Sequence, residues 1–301
     1  MTVVAACQLA LAIGDLKGNA ATVADAVAQA AADGADLIVL PELNDTGYVL
    51  SGEDEARSLA STAASSPALR AWRALAATHG AVIAGGFCEL AEDGRLYNSA
   101  ALVDASGTLA VYRKAHLWDA EKLIFTPGDE PPPVVELAFG RVALMICYDL
   151  EFPEWVRLAA LAGTDIIAAP VNWPASPVPP RERPAEIIRA QASAAVNGCF
   201  IAVADRCQDE RGVGWVGGTV IIGPDGYPLA GPIAADRPAV ISAECDLARA
   251  RDKAVSARND LLADRRPALY GRVVSAHPPA AYGARKGSRA SSMPSGASSA
   301  T

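Results

Sequence analysis

Short apolar runs alternate along the chain with longer stretches in which apolar residues recur every three or four positions. The runs are typical of buried strands, and the recurring stretches are typical of amphipathic helices. The predicted strands cover residues 2–8, 36–40, 81–87, 142–146, 165–170, 200–204 and 239–246. The predicted helices cover residues 20–32, capped by Asn19, and residues 67–79, 153–161, 182–197 and 247–258.

Turn residues mark two hairpins within this alternation. The sequences Asp-Ala-Ser-Gly at 104–107 and Gly-Pro-Asp-Gly at 223–226 are turn-forming. The strand pairs that they join are predicted at residues 96–103 with 109–113, and at 218–222 with 227–229. Strands that alternate with helices, together with hairpins, predict an α/β fold with mixed β-sheets.

Composition bounds the domain organisation and the class of partner. No linker-like segment interrupts residues 1–272, so we expect one domain there, followed by a flexible tail rich in Ser, Gly, Ala and Pro at 273–301. The net charge of −8 disfavours nucleic acid and anionic membranes as partners. No apolar run is long enough to span a bilayer, and the first residues lack the features of a signal peptide. We therefore expect a cytoplasmic protein.

The cysteines do not form a metal-binding or disulfide pattern. The chain has six cysteines and three histidines, with no Cys-x-x-Cys pair and no histidine at ligand spacing from a cysteine. We expect no metal and no cofactor. Four cysteines lie in apolar, strand-like surroundings where a thiol acts as a small hydrophobe, and these are Cys7, Cys88, Cys199 and Cys245.

Cys147 is placed differently, because it ends the apolar run 142–146 just before the predicted helix at Pro153. A thiol at such a strand-to-helix turn is expected to be exposed, to lie near a helix N-terminus and to be held as the thiolate. That is a suitable position for a nucleophile. A cysteine at the end of an apolar run is nevertheless more often part of a core, so Cys147 needs partners.

Candidate partners lie at the ends of two other strands. His79 and His277 are poorly placed, and His116 is more consistent with a structural hydrogen bond than with a base. Glu42 and Lys114 each follow an apolar strand, the usual position of site residues in α/β sheets. Alternatively, Glu42 is a turn residue and Lys114 a solvated charge.

The order of these segments resembles the nitrilase superfamily of carbon–nitrogen hydrolases. Pro-Glu at 41–42 is followed by Arg-Lys-x-His-Leu at 113–117 and Cys-Tyr-Asp-x-x-Phe-Pro-Glu at 147–154. Three more motifs match in order, at residues 96–100, 125–129 and 218–226, and the likeness runs from residue 5 to about 246. Six motifs in the same order are very unlikely to match by chance. The resemblance therefore disfavours the alternative in which Glu42 is only a turn residue and Lys114 only a surface charge.

The resemblance implies a four-layer αββα sandwich with two mixed β-sheets and a Glu-Lys-Cys triad of Glu42, Lys114 and Cys147. Glu42 would be the general base, and Cys147 would form a thioester. Lys114 and the backbone N–H of Tyr148 would bind the oxyanion. Glu121 matches a second glutamate of the family, although Glu121-Lys122 is also consistent with an exposed charged pair. Family members form homodimers or higher homo-oligomers.

The segment after Cys147 separates the branches of the superfamily. Nitrilases usually carry Cys-Trp-Glu, whereas Cys-Tyr-Asp resembles the amidases. The expected pocket is aromatic, which favours a small aliphatic primary amide, and its side chains are Tyr48, Trp118, Phe125, Tyr148, Asn172 and Trp173. The alternatives are an ω-amidase or amino-amidase, in which Glu151 or Glu154 accepts the amine, a nitrilase, and a non-enzymatic binding scaffold.

Overall fold

The computed structural model describes residues 1–233 and 236–275. Its strands are β1 Thr2–Ala10, β2 Leu37–Val39, β3 Val82–Leu90, β4 Leu96–Asp104, β5 Gly107–Arg113, β6 Val134–Leu137, β7 Gly140–Leu144, β8 Ile166–Pro170, β9 Phe200–Ala204, β10 Arg206–Cys207, β11 Val220–Ile222, β12 Pro228–Ala230, β13 Ala239–Cys245, β14 Ala254–Ser256 and β15 Asn259–Asp260. Its α-helices are α1 Leu16–Ala32, α2 Glu53–Leu59, α3 Pro67–His79, α4 Pro153–Leu161, α5 Ala185–Asn197 and α6 Gly271–Ser275. Four 3₁₀ segments cover Asp119–Leu123, Cys147–Glu151, Leu247–Arg251 and Pro267–Leu269.

The described residues fall into two units, residues 1–262 and a second unit that begins at residue 263 and is described as far as residue 275. In the second unit, the 3₁₀ turn Pro267–Leu269 is followed by the short helix α6. The expected tail at 273–301 lies outside the described residues from position 276 onward. No helix in the described ranges has the length and apolar character that crossing a membrane requires.

Two mixed sheets form the centre of the first unit. One has the order β10-β1-β2-β3-β4-β5, with β13 also paired to β1, and the other has the order β12-β11-β9-β8-β7-β6. In each sheet three neighbouring central strands are parallel (β1-β2-β3 and β7-β8-β9) and the hairpin strands are antiparallel. The predicted mixed sheets and the first hairpin are confirmed.

The alternation of side chains along β1 explains how the layers are stacked. Val4 and Ala6 pack in the cluster that contains the second sheet, whereas Ala5 and Cys7 pack with helices α1 and α3. Successive residues of a strand point to opposite faces, so the first sheet is covered by helices on one side and by the second sheet on the other. Helices α4 and α5 pack on the second sheet. The four-layer αββα sandwich follows from this arrangement and confirms the expected fold.

Three of the predicted helices differ from the structure. Helix α5 begins at Ala185 and not at residue 182, because Pro184 disfavours a helical conformation at the residue before it. Helix α1 begins at Leu16, because the side chain of Asp15 accepts a hydrogen bond from Gly18 N and caps it one turn earlier than expected. Asn19 is instead buried, and its amide donates to the carbonyls of Ala12 and Asp45.

The predicted helix at 247–258 is a single 3₁₀ turn, Leu247–Arg251, followed by the β14–β15 hairpin. The Lys253 ammonium donates to the carbonyls of Asn197 and Gly198 at the C-terminal end of α5, at 2.9 and 2.8 Å. These contacts satisfy carbonyls that the helix end leaves open, and they draw the chain out of a helical course.

Gly86 on β3 lies against the segment that follows β2. A Cβ atom at position 86 would lie 2.5 Å from Leu43 N and 2.6 Å from Glu42 Cα. Gly86 N donates to Pro41 O at 3.0 Å, and Gly86 O accepts from Asn44 N at 3.1 Å. The backbone of residues 41–44 therefore lies directly on the strand, and only glycine fits beneath it.

We expect Gly86→Ala to lower the free energy of unfolding by about 1–3 kcal/mol, because the new methyl group meets backbone atoms that cannot rotate away. Urea denaturation followed by circular dichroism measures this. The control is Gly52→Ala, where no atom lies within 4 Å of the new Cβ. Equal stability of the two variants would contradict the close contact at Gly86.

Candidate active site

Four side chains that follow strands converge where the two sheets face each other. Glu42 and Lys114 follow β2 and β5 of the first sheet, whereas Cys147 and Asn172 follow β7 and β8 of the second. The sheets are joined here, because Asn172 Nδ2 donates to Glu42 O at 2.8 Å and Glu42 N donates to Val171 O at 3.5 Å. The structure therefore brings the predicted residues Glu42, Lys114 and Cys147 together at the ends of their strands.

Lys114 is the centre of a buried ionic cluster. Its Nζ lies 2.6 Å from Glu42 Oε1 and 2.7 Å from Glu121 Oε1. Lys114 and Glu42 are fully buried and Glu121 is 5% exposed. Asn98 Nδ2 donates a further hydrogen bond to Glu42 Oε1 at 2.7 Å. Asn98 is a member of the site that the sequence analysis did not identify by role, although it lies within the matched motif at 96–100.

Burial and neighbouring charges shift the pKa values of Glu42 and Lys114 in opposite directions. Burial raises the pKa of Glu42 to about 7, against the lowering effect of Lys114. Burial alone would lower the pKa of Lys114, but the carboxylates of Glu121 and Glu42 raise it well above its usual range. Lys114 is therefore an ammonium at neutral pH, and Glu42 is a carboxylate close to its titration point.

The two oxygens of the Glu42 carboxylate differ in their contacts. Oε1 accepts from both Lys114 and Asn98. Oε2 is buried and accepts from no group among the described residues. A buried carboxylate oxygen without a donor has a lone pair free to receive a proton.

Cys147 is buried rather than exposed, in contrast to the sequence expectation. Its residue is 4% exposed, and Sγ points to Asn172 O at 3.8 Å. Burial, followed by the nearby Glu42 carboxylate, raises the pKa of the thiol well above its ordinary value, although Lys114 opposes this. The resting group is thus a neutral thiol and not the expected thiolate, because it is buried and lies near the Glu42 carboxylate.

The backbone at Cys147 also departs from the expected turn. Its φ of 47° is in the left-handed region, which costs a non-glycine residue about 1 kcal/mol or more. The chain then forms the 3₁₀ segment Cys147–Glu151, and α4 starts only at Pro153. The cysteine is therefore not at the N-terminus of an α-helix.

Asp149 holds this strained turn in place. One oxygen accepts from Ile146 N at 3.1 Å and from the Tyr112 hydroxyl at 2.7 Å, and the other contacts His116 N and Nδ1 at 3.1 and 2.7 Å. His116 also stacks on Phe152, with ring centroids 3.8 Å apart. His116 has the structural hydrogen bond that the sequence suggested, and Asp149 is a further site-organising residue that sequence reasoning missed.

Glu121 is part of the cluster and not an exposed charged residue. It lies in the 3₁₀ segment Asp119–Leu123, where Oε2 accepts from Trp118 N at 3.0 Å. Its Oε1 accepts from the Tyr48 hydroxyl at 2.6 Å as well as from Lys114. Lys122 is exposed, but Glu121 is buried, so the two residues do not form the exposed charged pair that the sequence also allowed.

The expected pocket residues fall into separate groups. Tyr48 contacts Glu121 and meets Trp215 edge to face, with ring centroids 5.5 Å apart. Trp118 meets Tyr148 edge to face at 4.9 Å.

Phe125 and Tyr148 lie together along one cleft, whereas Asn172 and Trp173 are buried beside Glu42 and Asp205. The cleft has a volume of about 490 Å³ and is lined by Ala115, His116, Leu117, Lys122, Phe125, Pro127, Tyr148 and Phe152. Across residues 1–233 and 236–275, no group of three or more His, Cys, Asp or Glu side chains is arranged to hold a metal ion.

Known proteins are similar to this chain in sequence and in fold. The sequence profile of the carbon–nitrogen hydrolases matches residues 3–254. A nitrilase of Pyrococcus abyssi is 37% identical over 247 residues, covering 82% of this chain and 90% of that protein. An (R)-stereoselective amidase of a Pseudomonas species is 34% identical, covering 74% of this chain and 77% of that protein.

A solved structure shows the same architecture. A glutamate-to-glutamine variant of the amidase from Nesterenkonia sp. AN1, which shows the result of Michael addition of acrylamide at its active-site cysteine, is 28% identical. It matches with a TM-score of 0.74 and covers 90% of this chain and 98% of that chain. The chain therefore belongs to the carbon–nitrogen hydrolase family of the nitrilase superfamily, and it is an enzyme that hydrolyses carbon–nitrogen bonds.

Proposed function

We propose that the protein is an amidase that hydrolyses a small aliphatic primary amide to a carboxylic acid and ammonia through a thioester on Cys147. The observation that carries this is the unpartnered Oε2 of Glu42 in the same buried cluster as a neutral thiol and an ammonium. A neutral thiol needs a base before it can attack, and Glu42 supplies a carboxylate with a pKa of about 7. Glu42, Lys114 and Cys147 are the proposed triad.

In the first step Glu42 accepts the proton of Cys147 as sulfur attacks the amide carbon. The negative charge that forms on the carbonyl oxygen is stabilised by Lys114 and by the backbone N–H of Tyr148. Lys114 has three N–H donors, and two of them are used by Glu42 and Glu121 at 2.6 and 2.7 Å. The third remains for the oxyanion.

In the second step Glu42 returns its proton to the departing ammonia, which leaves the acyl group on sulfur. A water molecule then loses a proton to Glu42 and attacks the thioester carbon. When the carbon–sulfur bond breaks, the acid is released and Glu42 returns the proton to the Cys147 sulfur, which restores the thiol and the carboxylate. Glu121 orients Lys114 throughout and offsets its charge, so that the ammonium is retained in a buried site.

The surroundings favour a small, uncharged acyl group. The candidate pocket side chains Tyr48, Trp118, Phe125 and Tyr148 are aromatic, which suits an apolar group. Glu151 is already paired with Arg189 at 3.0 Å, which weakens the case for an amine-accepting carboxylate and hence for an ω-amidase or amino-amidase. A nitrilase remains the second candidate, because the Pyrococcus abyssi relative bears that name. The buried ionic cluster disfavours a non-enzymatic scaffold.

We also infer that the enzyme is a cytoplasmic homodimer or higher homo-oligomer. All six cysteines are free and buried, as a reducing compartment allows. Helices α4 and α5 expose large apolar side chains that suit contact with a second copy, namely Leu158, Leu161, Ile188 and Val196.

We expect the wild type to release ammonia from acetamide or propionamide faster than from nitriles, ω-amino amides or N-carbamoyl compounds. Cys147→Ala should lower this turnover at least about 1,000-fold, because the nucleophile is lost. A coupled ammonia assay over the panel measures both effects. Nitrile turnover that exceeds amide turnover would favour the nitrilase, and full activity of Cys147→Ala would exclude the thioester route.

Glu42→Gln should slow acylation by about 100- to 10,000-fold with the fold retained, since an amide cannot accept the thiol proton. In the wild type, kcat/KM should fall about tenfold per pH unit below about 7, where protonation of Glu42 removes the base. Above that pH the base is ionised and the rate levels off. Stopped assays from pH 5 to 9 and mass spectrometry of the acyl-enzyme test this, and an unchanged acylation rate in Glu42→Gln would reassign the base.

Iodoacetamide should alkylate Cys147 before the other cysteines, because a base and an ammonium lie beside its thiol. The comparison thiols, all buried, are Cys7, Cys88, Cys199, Cys207 and Cys245. Mass mapping of the first adduct, with the slower alkylation of Glu42→Gln as a control, measures the preference. First labelling at another cysteine would contradict the activation of Cys147.

A further inference from the structure

Tyr48 is held at three points. Its hydroxyl donates to Glu121 Oε1 at 2.6 Å, and its ring meets Trp215 edge to face. Its backbone N–H and that of Val49 donate to one oxygen, Glu210 Oε2, at 2.9 and 2.7 Å. A side chain distant in sequence thus fixes the backbone from which the Tyr48 hydroxyl reaches the ionic cluster.

Glu210 is itself held rigidly. Its Oε1 accepts from Arg206 Nη2 at 2.6 Å, and the same nitrogen donates to Leu11 O at 2.8 Å. Arg206 is fully buried, Glu210 is 5% exposed, and the guanidinium carbon lies 4.9 Å from the centre of the Trp215 ring. A desolvated pair with fixed neighbours has little freedom, so the position of Glu210 Oε2 is well determined.

The loop before Tyr48 is shaped to admit this carboxylate. Gly47 has a φ of +83°, and a Cβ there would lie 2.8 Å from Glu210 Oε1 and 2.8 Å from Ile13 Cα. A larger residue would therefore push the loop and the carboxylate apart. The close approach of the two segments requires glycine at this position.

We propose that Glu210 is a positioning residue, which acts through the backbone of residues 48–49 to place the Tyr48 hydroxyl on Glu121. The inference rests on the proposed function of the cluster. Glu121 Oε1 accepts from both Tyr48 and Lys114, so the hydroxyl restrains the oxygen that holds the ammonium. Loss of that restraint lets Lys114 move away from the oxyanion position, and displacements of about 1 Å in such sites can cost about 100-fold in rate.

The test separates the acceptor role of Glu210 from its charge. Arg206→Met/Glu210→Met removes the acceptor, and Arg206→Met/Glu210→Gln keeps one. Neither variant leaves one member of the ion pair buried without the other. Each pair is made with and without Tyr48→Phe. The readouts are the rate constant for Cys147 alkylation by iodoacetamide, kcat and KM for amide hydrolysis, and the midpoint of thermal unfolding.

We expect Arg206→Met/Glu210→Met to slow alkylation about tenfold when Tyr48 is present. When Tyr48→Phe is already in place, the same double variant should slow it less than about twofold, because Glu210 and the Tyr48 hydroxyl act through one contact. In Arg206→Met/Glu210→Met, kcat should fall while KM changes little. In Arg206→Met/Glu210→Gln, the alkylation rate and kcat should stay within about threefold of the wild type.

The control is Glu53→Met, which removes an exposed carboxylate that pairs with Arg57 at 2.6 Å on the surface of α2. Its alkylation rate should change less than about twofold.

The positioning role would be overturned if the alkylation rate fell equally with and without the Tyr48 hydroxyl, or if it fell equally in the two double variants at positions 206 and 210. It would also be overturned if iodoacetamide did not alkylate Cys147 in the wild type. A wild type that hydrolyses no amide would instead overturn the proposed function, while the alkylation cycle still decides the role of Glu210.

Discussion

The site depends on one buried ammonium placed between two carboxylates. Lys114 lies within 2.7 Å of both Glu42 and Glu121, and none of the three has appreciable contact with water. Without Lys114 the two carboxylates would repel each other at close range in a desolvated site, and without the carboxylates the ammonium would be a costly isolated charge. The three groups therefore stabilise one another only as a complete set, and the surrounding hydrogen bonds keep the set in register.

Local patterns located the members of the proposed triad because each of them follows a strong apolar strand. Glu42, Lys114 and Cys147 come directly after β2, β5 and β7, or within three residues of their ends, and strand periodicity is among the clearest signals in a sequence. The likeness of the ordered motifs then supplied the layers and the roles. The burial of Cys147 was beyond such reasoning, because it arises only when the two sheets pack together, and Glu42, which also raises the pKa of the thiol, comes from the other sheet.

The organising residues could not be read from periodicity. Asp149 joins the turn at Cys147 to Tyr112 and His116. Glu210 binds the backbone N–H groups of Tyr48 and Val49, which lie more than 160 positions earlier in the chain. The apolar periodicity does not distinguish these carboxylates from surface acids, although Asp149 lies within the matched motif at 147–154. The helix expected at 247–258 failed for a similar reason, since Lys253 is recruited by the end of α5. Long-range hydrogen bonds decided each of these positions.

The division of the site between two sheets bears on when the protein becomes reactive. Glu42 and Lys114 belong to one sheet and Cys147 to the other, and Asn172 links them across the interface. In the proposed mechanism the thiol gains its base only when the two sheets pack against each other. The reactivity of Cys147 therefore depends on the complete sandwich, and neither sheet alone carries both the nucleophile and its base.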